Sequence, residues 1–255
     1  MTSELFQAFE SVLRCPNVRK CIEDSAPHPC RKIVESQLML TGAESYDEFQ
    51  MPEPWCGQID IAPILFVSSN PSIGDERALG RCSTDDAFDS HHFALGGGRG
   101  IYTHNGVYSL DAAGNRSKRP VYYWSRARDR AQELIVGRPV VWGVDYAMTE
   151  VVRCKSRKEF GVSEALEECT SRHFDQTMSI AAAQVIIAVG KGRDLMRQRY
   201  GIARSERLVE VSIAGKLRLL AFLPHPSGFE PGPRNLAGLY TSEELERLRN
   251  AVVND

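Results

Sequence analysis

Four short apolar runs punctuate the chain: Ile64-Leu65-Phe66-Val67, Ala147-Met148-Thr149-Glu150-Val151-Val152, Val185-Ile186-Ile187-Ala188-Val189 and Leu217-Arg218-Leu219-Leu220-Ala221-Phe222-Leu223. Each is short and ends in small or polar residues, which reads as a strand. Between them lie segments of helical period, roughly 120–136, 163–182 and 191–200. A terminal helix begins at Thr241-Ser242-Glu243-Glu244, where Thr241 or Ser242 can cap the first turn. Strands alternating with helices predict an α/β fold, a mostly parallel four-stranded sheet between two helical layers. Nothing in the composition separates the halves, so residues 1–255 are expected to form one αβα domain.

In such a sheet the functional groups gather beyond the strand ends, where loops converge on a crevice. Ser68-Ser69-Asn70-Pro71-Ser72 follows the first run, and Arg153 to Lys158 the second. Gly190-Lys191-Gly192 follows the third, and Pro224-His225-Pro226-Ser227-Gly228 the fourth. The long excursion from about 73 to 118 holds Gly96-Gly97-Gly98-Arg99-Gly100, and a connection of that length is usually functional or mobile.

With 42% apolar and 25% charged side chains in 255 residues, the chain can bury a sizeable core. No stretch has the apolar length of a membrane span, and Met1-Thr2-Ser3-Glu4-Leu5 lacks the flank of a secretory signal, so a cytoplasmic protein with no membrane partner is expected. The formal charge of −2 leaves nucleic acid open, because binding depends on where the charges sit. Arg116, Lys118, Arg119, Arg126, Arg128 and Arg130 form one basic stretch, interleaved with Tyr122, Tyr123 and Trp124; Arg153 to Lys158 is another. Either fits a solvated face as well as a phosphate contact. Seven cysteines, an odd number, argue against a disulfide framework and leave burial or metal ligation.

Two residues carry candidate chemistry. Asn70 stands at a strand terminus before Pro71, whose fixed φ pins the turn, so its carboxamide can orient a water; a turn-capping Asn fits equally well. His225 is held stiffly between Pro224 and Pro226, which suits an imidazole donating to an anionic oxygen.

These residues carry a resemblance to the uracil-DNA glycosylase superfamily. Ser68 to Ser72 resembles its first motif, in the form where an Asn positions the water, and His225-Pro226-Ser227 resembles its second. Thr149-Glu150-Val151-Val152-Arg153-Cys154, then Cys169, then Val185 to Gly190 resemble a succession found in the iron–sulfur branch. The resemblance implies a uracil-DNA glycosylase-like domain that flips uracil or another deaminated base out of DNA, hydrolyses its glycosidic bond and leaves an abasic site, acting as a monomer. It implies Asn70 as water positioner and His225 as stabiliser of the base anion. Ser69, Glu150, Ser227 and a stacking aromatic, Phe88 or Phe93 with Tyr102 behind them, would contact the base. Arg153, Lys155, Arg157, Phe229 and Arg234 would contact DNA. Cys15, Cys21, Cys154 and Cys169, with Cys30 in reserve, would hold a [4Fe–4S] cluster in preference to zinc.

Two positions depart from that pattern. Asn70 stands where the iron–sulfur branch commonly has Ala, and Glu150 stands where it has the Asn that reads uracil. Asn both donates and accepts, whereas an ionised Glu only accepts, so uracil is a weaker expectation than base excision. A damage- or abasic-site-binding protein on the same frame is the alternative reading. A nucleotide hydrolase using Gly190-Lys191-Gly192 ranks last, because the full phosphate-loop pattern is absent.

Overall fold

Uninterrupted aliphatic runs become the central strands of the computed structural model, which describes residues 3–73, 84–93, 103–104, 106–109, 115–225 and 232–253. In chain order the strands are β1 (Ile64–Ser68), β2 (Thr103–His104), β3 (Tyr108–Ser109), β4 (Tyr146–Glu150), β5 (Val185–Ala188), β6 (Leu208–Ile213) and β7 (Lys216–Phe222). β2 and β3 form a small antiparallel ladder of their own. The main sheet runs β4-β1-β5-β7-β6, with β4, β1, β5 and β7 parallel and β6 antiparallel to β7.

The expected four-stranded sheet therefore has a fifth member. β6 carries no continuous apolar run because one of its faces is open to water, with Glu210 and Ser212 exposed while Val209 and Val211 are partly buried. It joins β7 through Ala214-Gly215, whose φ values of 51° and 78° match the left-handed pair that a two-residue hairpin requires.

Side-chain alternation divides the core between the two faces of the sheet. Leu65, Val67, Ala147, Ile186 and Ala188 pack with residues of α1 (Ser3–Leu13), α4 (Thr84–Phe88), α6 (Val162–Ile180) and α7 (Gly190–Tyr200). Ile64, Phe66, Tyr146, Met148 and Ile187 pack with α5 (Tyr122–Leu134), α8 (Leu236–Leu239) and α9 (Ser242–Val253). The alternation continues to the strand ends, so Ser68 and Glu150 fall on the α5 side.

A third cluster joins α2 (Pro16–Glu23) and α3 (Arg31–Thr41) to α6 and the segment after β4. Arg218, the one charge in the fourth apolar run, is buried and donates to the Met178 and Ala181 carbonyls at 3.0 and 2.6 Å, closing the C-terminal end of α6. Tyr240 ties the sheet border to the C-terminal helices: its hydroxyl accepts from the Phe222 N–H at 2.9 Å and donates to the Arg207 carbonyl at 2.8 Å. Among the described residues no helix is long and apolar enough to cross a membrane.

Candidate active site

Beyond their ends β1 and β4 stay paired, which sets the geometry of the first motif. Val151 and Val152 donate to the Ser68 and Ser69 carbonyls at 3.0 Å each, and Ser156 N–H donates to the Pro71 carbonyl at 3.1 Å. Asn70 is thereby held against the second segment: its Nδ2 donates to Pro71 O at 2.7 Å and to Ser156 Oγ at 3.0 Å. A carbonyl oxygen can only accept, so the nitrogen must face Pro71 and the orientation of the carboxamide is fixed by chemistry. Asn70 Oδ1 is left as the outward acceptor.

Ser69 is buried and its hydroxyl accepts the Lys191 N–H at 2.9 Å, satisfying one free donor in the first turn of α7. Gly190, with φ of 55°, makes this close approach possible: a Cβ there would lie 2.6 Å from Ser69 Oγ and 3.2 Å from His225 Cδ2. The first motif, the exit of β5 and His225 thus meet within van der Waals distance. The His225 ring is parallel to Tyr123, with centroids 5.9 Å apart and 5° between planes. Tyr123, on the first turn of α5, is a site residue that the motif reading passed over, although it lies within the basic, aromatic stretch.

Glu150, in register with Ser68, is 8% exposed. Ser68 Oγ donates to its Oε1 at a long 3.5 Å, and its Oε2 has no hydrogen-bond partner. Burial, then the nearby Glu53 charge, push the Glu150 carboxyl up to about 8, against the opposing pull of Arg153, Ser68 and Lys155. Glu53 is ion-paired with Lys155 at 2.6 Å. Burial opposes its ionisation, but Lys155 and His91 hold its carboxyl below the ordinary value. The Tyr123 hydroxyl is buried without a well-formed hydrogen bond, and burial pushes this phenol up, with Ser68 pulling the other way.

Several expected contacts lie elsewhere. Arg153 is not at a DNA surface: it is 2% exposed, and its guanidinium donates to Pro54 O, Thr149 Oγ1 and Thr177 Oγ1. Lys155 is tied inward by Glu53, while Arg157 is exposed. Arg234 joins Arg126, Arg130, Tyr123 and Pro224 around a small recess beside His225. Phe88 is not a stacking platform at this site. It packs at 5.4 Å from Phe6 and 5.1 Å from Phe9 in the core on the α1 side, across the sheet from Glu150. The Phe93 side chain, Tyr102, Ser227 and Phe229 lie outside what the structure describes.

Several of the cysteines lie together. Cys15, Cys30, Cys154 and Cys169 line one cavity of about 20 Å³ with Arg153 and His173. Cys21 belongs to the same apolar cluster but not to the cavity wall, so Cys30, from the start of α3, takes its place. Burial pushes Cys30 up to about 12 and Cys169 up to about 11. His173 Nε2 sits 3.4 Å from Cys15 Sγ, and the Arg153 N–H donates to Cys169 Sγ at 3.4 Å. Among the described residues no three His, Cys, Asp or Glu side chains form a group that could hold a single metal ion. No family model matches the chain, and no curated protein is significantly similar to it.

Proposed function

We propose that the protein is a DNA base-excision glycosylase that hydrolyses the N-glycosidic bond of a flipped base. The observation that carries this reading is the orientation of Asn70: both of its bonds run through Nδ2, so Oδ1 is left to accept from a water. In the reaction the water oxygen bonds to the sugar C1′ while the C1′–N bond breaks and its electron pair leaves with the base. The water supplies the hydroxyl of the abasic sugar and, in balance, the proton that the released base acquires. His225 donates to the base oxygen on which negative charge develops, and Glu150 meets the base edge. No lysine nucleophile is invoked, so the strand stays intact.

Arg157 and Arg234, with Arg126 on α5, are the cations we assign to the phosphate backbone. Cys15, Cys30, Cys154 and Cys169, which line one cavity, are the thiols we assign to a [4Fe–4S] cluster. Such a cluster supplies structure: it would cross-link the α2 and α3 layer to α6 and brace the segment from Arg153 to Ser156 that orients Asn70. Anaerobically purified protein should be brown and contain iron; protein that folds without iron or zinc would remove the cluster from this account.

The test is release of uracil, hypoxanthine, xanthine or thymine from single-stranded and duplex oligonucleotides, read by alkaline cleavage at the abasic site. Wild type should release at least one base and Asn70→Ala should lose activity at least a hundredfold. A wild type that binds these oligonucleotides but releases nothing over hours would favour damage binding without catalysis.

A further inference from the structure

The strand-end site contains two buried polar atoms with no hydrogen-bond partner, Glu150 Oε2 and the Tyr123 hydroxyl. A buried polar atom left bare loses its hydration without recompense, so each calls for an explanation. Both belong to the same corner: Ser68 and Glu150 are the side chains that act most directly on the Tyr123 phenol, and Tyr123 in turn lies parallel to His225. A ligand edge carrying donors and acceptors would satisfy both atoms.

We propose that Glu150 is the group that reads the base, and that its carboxyl admits pyrimidines with an amino group at C4, the cytosine class, as well as those with a carbonyl there. This rests on the base-excision reading above. A fixed carboxamide offers a donor at one atom and an acceptor at the other, and exchanges them only by turning over. A carboxyl exchanges them by moving one proton between oxygens, with no heavy atom displaced. With the proton on one oxygen it accepts from N3–H and donates to O4, the uracil pattern. With the proton on the other it donates to N3 and accepts from the 4-amino group, the cytosine pattern. The groups facing Glu150 leave this open: Ser68 Oγ can donate or accept, Oε2 is unpartnered, and Glu53, whose charge disfavours a second anion, is itself paired with Lys155.

The experiment uses full-length protein and oligonucleotides that carry a single uracil or a single cytosine and are otherwise free of both, with abasic-site formation and the released base both measured. Wild type should release cytosine at a rate within a hundredfold of uracil. Glu150→Gln, isosteric and uncharged, should lower the cytosine-to-uracil ratio at least tenfold, with cooperative urea unfolding reporting that the variant is folded. Uracil release with cytosine untouched, or an unchanged ratio in Glu150→Gln, overturns the assignment and leaves base excision standing. A wild type that releases neither base overturns both.

Discussion

Glu150→Gln tests the state of this carboxyl without any substrate. In the native protein burial and Glu53 hold Glu150 up to about 8, against an ordinary value of 4.5 in the unfolded chain. Between these two values the folded form keeps a proton that the unfolded form has lost, so stability falls as pH rises through the window. At about 1.4 kcal/mol per unit, the full separation corresponds to about 5 kcal/mol lost between pH 4.5 and 8, and about 3 kcal/mol by pH 7. Water entry on ionisation reduces both figures, so they are upper bounds. Gln keeps the shape and cannot ionise, and every other titrating group is shared by the two proteins. The difference in unfolding free energy, variant minus wild type, should therefore be small near pH 4.5 and rise in favour of the variant to several kcal/mol at pH 8. Urea unfolding of both proteins across that range measures it. A difference that stays level from pH 5 to 8 would refute the claim that Glu150 is folded as a neutral acid.

Three further outcomes follow from the geometry. Ser156→Ala removes one of the two bonds that orient Asn70, worth about 1 kcal/mol, and should lower kcat for base release about fivefold with little change in KM; Ser156→Thr should restore it. Gly190→Ala places a methyl 2.6 Å from Ser69 Oγ at a backbone φ of 55°, and should cost about 1–3 kcal/mol in thermal unfolding and abolish base release by displacing His225. Tyr240→Phe removes the hydroxyl shared by Arg207 O and Phe222 N–H, which stay bonded to each other at 3.1 Å, and should destabilise the protein by about 1 kcal/mol in urea, with activity per folded molecule unchanged.

The parallel core was legible because β1, β4, β5 and β7 are buried on both faces and read as apolar runs. Their boundaries differ from the sequence reading by only one or two residues. β6 was not, since a border strand half in water has no such signature. The inward turn of Arg153 also lies beyond sequence: a basic residue in a basic run gives no sign that its partners are Pro54, Thr149 and Thr177, distant in the chain. Asn70 and His225 were visible as motif residues, yet what orients the carboxamide, Ser156, is 86 positions away and enters only through the pairing of two loop segments. Tyr123 was hidden for a similar reason, because its neighbours Ser68 and His225 come from strands at either side of β5.

The border strand has a bearing on how the protein behaves in concentrated solution. A terminal strand offers a row of unpaired backbone groups to any other extended chain, and self-association by strand addition is the usual hazard. On β6 the exposed positions are Glu210, between Val209 and Val211, and Ser212, between Val211 and Ile213. Two copies aligned antiparallel about this position would bring their exposed Glu210 carboxylates toward one another. That repulsion opposes strand addition at this border, and a change of Glu210 to Val would remove it.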